Sequence, residues 1–148
     1  MSDPVVWREP VQEAWIDYNG HLSEAYYVLV LGHATDAVMA HVGLGPEERE
    51  RDGVSLFTVE AHLRYLDQVP AGSLLEVRSR IVGVSAKLLW IWHELWVDGT
   101  LRATEEVLGV HVDTATGRSR PFGEDVAGRV ADARVPAPPE AGRAITLG

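Results

Sequence analysis

The stretch Trp15-Ile16-Asp17-Tyr18-Asn19-Gly20-His21-Leu22-Ser23-Glu24-Ala25-Tyr26-Tyr27 joins a lone carboxylate, a glycine turn and a helix start. Val11 to Ile16 reads as a strand-like approach that delivers Asp17. Gly20 permits a turn that other residues resist, and Ser23 has the side chain of a good N-cap. N–H groups at a helix start have no partner within the helix and sit at its positive end, so they can stabilise developing negative charge. The expected donors are the backbone N–H groups near Gly20 and His21. A carboxylate beside such donors suits the polarisation of a carbonyl.

Beyond Ser23 the chain from Glu24 to Val42 consists of good or neutral helix formers and is apolar nearly all round. A helix on a protein surface shows a polar face, so this one is expected to be wrapped by other elements. Asp36 and the histidines His33 and His41 interrupt the run and argue against a membrane span. Gly43 and Gly45-Pro46 stop the helix, and Glu47 to Gly53 reads as a charged loop. Alternation follows. Phe57, Val59, Ala61, Leu63 and Tyr65 fall on one face of a strand, and Thr58, Glu60, His62 and Arg64 on the other. Pro70-Ala71-Gly72 turns the chain into strands Leu74 to Gly83 and Lys87 to Val97, and Asp98-Gly99 is a two-residue hairpin signal before a strand from Thr100 to Asp113. From Gly123 the composition shifts to Ala, Gly, Pro and Arg, with a short helix expected near Glu124 to Ala131 and an extended segment around Pro136-Ala137-Pro138-Pro139. Residues 1–122 are thus expected to form one domain, and 123–148 a C-terminal extension rather than a second domain.

The whole has 148 residues, no cysteine and a formal net charge of −9. Missing cysteines exclude disulfides, thiolate metal sites and a cysteine nucleophile. The acidic balance opposes general affinity for nucleic acid or anionic membrane. The N-terminal residues lack the pattern of a signal peptide, so a cytoplasmic location is expected. His21, His33, His41, His62, His93 and His111 show no paired metal-ligand spacing, and no phosphate loop, dinucleotide fingerprint or nucleophile elbow is present.

One long helix followed by an antiparallel meander is an α+β arrangement in which a sheet wraps a helix. Together with Asp17-Tyr18-Asn19-Gly20-His21-Leu22-Ser23, it resembles the hotdog-fold acyl-CoA thioesterases, in particular the 4-hydroxybenzoyl-CoA thioesterase-like group, over roughly Val11 to Pro121. Two departures stand out: Trp15 where the family often has a further Asp, and Ser23-Glu24 where it often has an Asn pair. A finer resemblance, to the betainyl-CoA thioesterases of carnitine breakdown, rests on Trp15-x-Asp17-Tyr18-Asn19-Gly20-His21, Glu24-Ala25-Tyr26-Tyr27, Ala34-Thr35-Asp36 and Phe57-Thr58-Val59-Glu60-x-His62-x-x-Tyr65-Leu66.

The resemblance implies hydrolysis of an acyl-CoA, with coenzyme A as part of the substrate, no separate cofactor, and a homodimer or dimer of dimers with the site between subunits. It places Asp17 as base or nucleophile. Asn19, Gly20, His21 and Glu60 complete the candidate catalytic set, and Tyr26, Tyr27, Thr58, His62 and Arg64 the candidate substrate-binding set. Arg64, Arg78, Arg80, Lys87, Arg118 and Arg120 are candidate phosphate anchors. Trp90, Trp92 and Trp96 share one strand face and Leu89, Ile91 and Leu95 the other, so that strand needs cover on both sides, from a second layer or another subunit. Two other readings accompany the thioesterase: a non-catalytic acyl-CoA sensor, and a hotdog hydratase. The latter resembles an Asp-x-x-x-x-His pattern, one residue longer than Asp17 to His21.

Overall fold

A computed structural model describes residues 3–148. Five strands, β1 (Val5–Pro10), β2 (Val54–Tyr65), β3 (Leu74–Val84), β4 (Leu88–Val97) and β5 (Thr100–Asp113), form one antiparallel sheet in the order β1-β3-β4-β5-β2. The helices are α1 (Glu24–His41), α2 (Pro46–Asp52) and α3 (Glu124–Ala133). This is the α+β fold expected, a sheet curved around one long helix. No single helix is long and apolar enough to cross a membrane.

β3, β4 and β5 are the meander that the turn signals predict. Asp98 and Gly99 both have positive φ, at 49° and 74°, which matches the twist of a two-residue hairpin. α1 lies on β1, β3 and β4. It buries Tyr27, Val30, Leu31, Ala34, Val38 and Met39, against Val77, Leu75, Leu95 and Val97 towards its start and Ile81, Leu89 and Ile91 towards its end. Each fully buried side chain of this size contributes roughly 1.5–3 kcal/mol. The wrapping is incomplete: Val28 remains 51% exposed and Leu29 41%.

Three local expectations are corrected. The approach to Asp17 is not a strand over Val11 to Ile16. The extended segment is β1, which ends at Pro10, a residue without an N–H to continue a ladder, and Glu13–Trp15 make a turn of 3-10 helix. Glu47 to Gly53 is not a loop but most of α2. Pro46 starts it with its fixed φ, Glu47 and Glu48 sit at its positive end, and Gly53 closes it at φ 65°. In β2 the strict alternation breaks at a bulge between Thr58 and Glu60, so two residues oppose one step of β5. Ala61, Leu63 and Tyr65 therefore share the α1 face with Val54 and Leu56, while Phe57 lies on the other face with Glu60, His62 and Arg64.

The cover that the tryptophan face of β4 requires comes from the chain itself. Val135 N–H donates to Ile81 O at 2.9 Å, and Val135 packs with Val82, Trp92 and Trp90, joined by Ala141. Arg78 lies over the Trp96 ring at 4.5 Å. α3 closes the far end of α1 through Val126, Ala127 and Val130.

Candidate active site

Asp17 begins a tight turn. Gly20 N–H donates to Asp17 O at 3.0 Å, Asp17 N–H to His21 O at 2.9 Å, and Gly20 has φ 80°. The loop is pinned on both sides, by Ser23 N–H to Trp15 O at 2.9 Å and Leu22 N–H to Val69 O at 2.8 Å. Oδ1 of Asp17 accepts from Asn19 N–H at 2.8 Å and, more weakly, from His21 N–H at 3.4 Å. The carboxylate thus shapes its own turn, as Asp does in many loops. Oδ2 makes no hydrogen bond among the described residues, so half of the group remains available.

Those bonds relocate the donors. The N–H groups of Gly20 and His21, where the sequence suggested an oxyanion site, are directed into the Asp17 turn. At the start of α1 the Ser23 side chain makes no cap bond, and Tyr26 N–H returns to Ser23 O. Glu24 and Ala25 N–H have no acceptor among the described residues. They are the open donors at the positive end of the helix.

Asp17, Asn19, His21, Leu22, Glu24, Tyr27, Tyr65 and Gln68 border a cavity of about 300 Å³. Tyr27 and Tyr65 meet edge to face at 4.9 Å, and Tyr65 O–H donates to Glu24 O at 3.3 Å. Burial raises the pKa of both phenols, so they act as neutral donors and apolar walls. Arg102 holds the loop that carries Gln68, donating to Gln68 O at 2.5 Å and to Val97 O at 3.4 Å. Gln68 was not named from sequence, and Glu24 and Tyr65 were named within the resemblance motifs but not as site residues.

The other candidates lie elsewhere in this chain. Tyr26 stacks on Trp15 at 5.4 Å, away from the cavity lining. Glu60 and His62 border a second cavity of about 320 Å³ with Trp90, Glu106, Leu108, Gly142 and Arg143, on the sheet face turned away from α1. Arg64 shares that face, and Thr58 stands exposed at the bulge. A cavity of about 590 Å³ is at the opposite end of α1. Arg120 lines it together with Arg51 and Arg129, but so do Glu48, Asp52, Glu124 and Asp125, so it offers no net positive charge.

One more group under α1 escaped the sequence reading. Glu105 is only 5% exposed, on the β5 face that carries Ala103 and Val107, between register partners His93 on β4 and Leu63 on β2. It makes no hydrogen bond or ion pair among the described residues, and burial raises its pKa to about 7. His93 cannot compensate it. Burial holds that imidazole neutral, with a pKa of about 3, and its nitrogens are taken by Thr35 Oγ1 at 2.8 Å and Ser79 Oγ at 2.6 Å. Thr35 already donates to Leu31 O at 3.1 Å, which assigns it as acceptor from Nε2–H and makes Nδ1 the acceptor from Ser79.

A five-stranded sheet curved around one helix, with a carboxylate turn at the start of that helix, is the arrangement of the hotdog fold. The thioesterase-like superfamily model matches residues 11–142, and the chain belongs to that family, as an acyl-CoA thioesterase. It is 42% identical to betainyl-CoA thioesterase from Pseudomonas aeruginosa, over 95% of this chain and 93% of that protein. It is also 44% identical to L-carnitine dehydrogenase/betainyl-CoA thioesterase from Agrobacterium fabrum, over 74% of this chain but 22% of that longer protein. Among solved structures, a Staphylococcus aureus protein in complex with CoA superposes with TM-score 0.90 at 27% identity, covering 100% of this chain and 98% of that one. A candidate thioesterase from Pseudomonas putida gives 0.84 at 36% identity, with 100% and 99% covered.

Proposed function

We propose that this thioesterase hydrolyses betainyl-CoA to betaine and CoA. One observation supports the chemistry above the others: the Asp17 carboxylate, with one oxygen fixed by its turn and one free, borders the same cavity as the open N-terminus of α1. The thioester carbonyl points at Glu24 and Ala25 N–H, which stabilise the oxyanion as oxygen adds to the carbonyl carbon. Asp17 Oδ2 is the reacting atom. It either takes the proton of an attacking water or itself attacks, forming an anhydride that water then opens. In both cases the C–S bond breaks, and the CoA thiolate leaves and takes up a proton. Asn19 and His21 orient water and carbonyl from the cavity wall, and Gly20 holds the turn. The identity to the Pseudomonas aeruginosa enzyme over nearly both full lengths supports the acyl group.

The active unit in this reading is a homodimer. β2 is a sheet edge with Phe57 47% and Val59 58% exposed, and such an edge invites pairing with a second copy. Thr58, Glu60, His62 and Arg64 then belong to the seam between subunits. Phe57→Asp is expected to shift the protein to monomer in size-exclusion with light scattering; an unchanged mass refutes this use of the edge.

A panel of acyl-CoA esters tests the reaction. Asp17→Asn is expected to lower kcat by about 10²–10⁴-fold with CoA-ester binding retained. Full activity in that variant removes Asp17 from the mechanism, and tight binding without turnover by the wild type on any ester refutes the enzyme. Single turnover in ¹⁸O-water separates the two roles: label reaches the Asp17 side chain only when it is the nucleophile.

A further inference from the structure

A carboxylate buried to 5% exposure with no donor or cation beside it requires an explanation, because an unpaired buried charge is costly and such groups mark functional sites. The titratable groups facing Glu105 supply no positive charge. His93 on β4 is neutral, Tyr65 on β2 is a phenol, and on α1 Tyr27 is a phenol and Glu24 an acid. The neighbours of Glu105 across the pairing with β2 are largely apolar. Leu63 is its register partner on β2, Tyr65 is 45% exposed one pleat further on, and Val28 is 51% exposed on α1. Tyr65 borders the Asp17 cavity, whose lining does not include Glu105, and Glu105 lies one strand repeat, roughly 7 Å, further along the sheet from that wall.

We propose that Glu105 is the cation-recognition carboxylate of the acyl pocket, holding the trimethylammonium group of the substrate against the Tyr27–Tyr65 pair. This rests on the betainyl-CoA reading and gives it a specificity residue. A quaternary ammonium has no N–H to donate, so its recognition needs charge and aromatic surface rather than hydrogen bonds. An unpartnered carboxylate next to an edge-to-face tyrosine pair offers both. Its single methylene places the cation two bonds from the carbonyl carbon, so the charge must be met close beside the reaction centre.

The test compares betainyl-CoA with 3,3-dimethylbutanoyl-CoA, which has the same shape and no charge, using the full chain. Wild type is expected to favour the cationic ester in kcat/KM by about 10²- to 10³-fold, the scale of one charge pair about 4–6 Å apart at an effective dielectric constant near 20. Glu105→Gln is expected to abolish that preference and leave the neutral ester within about twofold. An unchanged ratio in the variant, or an equal loss on both esters, overturns the proposal. Wild type supplies a second readout that needs no variant. Tetramethylammonium is expected to inhibit hydrolysis of the neutral ester competitively, and no inhibition overturns the subsite. If betainyl-CoA is not hydrolysed while other esters are, the substrate reading fails. Inhibition by tetramethylammonium on whichever ester turns over then still decides the role of Glu105.

Discussion

Glu105→Gln should make this protein more stable, and by an amount that depends on pH in one direction only. In the unfolded chain the carboxyl has its ordinary pKa of 4.5, and burial raises the folded value to about 7. Below pH 4.5 both states are protonated and the group is neutral to stability. Between 4.5 and 7 the unfolded chain ionises first, so stability falls as pH rises, and above 7 the loss is complete. At 1.36 kcal/mol per pH step, the full loss is about 3 kcal/mol. Gln keeps the shape and never ionises. The variant should therefore match wild type near pH 4.5 and exceed it by about 3 kcal/mol at pH 8. At about 2–4 °C per kcal/mol for a chain of this length, that is about 6–12 °C in Tm. Thermal unfolding followed by circular dichroism at fixed protein concentration, from pH 4.5 to 8.5, measures it. Parallel Tm curves for the two proteins would show that Glu105 is solvated or paired in solution, and would remove the reason for giving it a ligand.

Two further outcomes follow from the geometry. Gly20→Ala puts a Cβ where nothing lies within 4 Å, so its cost comes from the backbone at φ 80° alone, about 1–2 kcal/mol; kcat should fall further than that loss implies, because the turn aims Asp17, and unchanged kinetics would refute that coupling. Thr35→Val leaves buried His93 Nε2 without its partner and should cost about 1–3 kcal/mol in denaturant unfolding, whereas a neutral effect would show that this hydrogen bond contributes nothing to stability.

The residues that were legible in the sequence are those whose role is local. Asp17, Gly20 and the start of α1 could be read from a dozen contiguous residues, because a turn and a helix start are built from neighbours. The hairpin at Asp98-Gly99 was legible for the same reason, since both residues accept positive φ. β2 was misread where a single extra residue at Thr58–Glu60 reversed the side-chain parity, and periodicity carries no mark of a bulge. The N–H groups of Gly20 and His21 turn into the Asp17 loop instead of outward, a competition visible only once the loop has closed. Tyr65 and Gln68 reach the site through strand pairing and the loop held by Arg102, across some forty residues of chain.

Glu105 is the instructive case. Its parity was available: it stands between Ala103 and Val107 on the inward face of a strand, where a carboxylate breaks the pattern. A charge at an apolar position of a strand is evidence of an edge, an ion pair or a ligand. β5 is an interior strand, which excludes the first, and no cation among the described groups of the same subunit faces it. A ligand that brings the positive charge with it meets that need, as proposed above. A fold that held this carboxylate without such a ligand would lose about 3 kcal/mol above pH 7 for no return, and a glutamine at position 105 would serve it better.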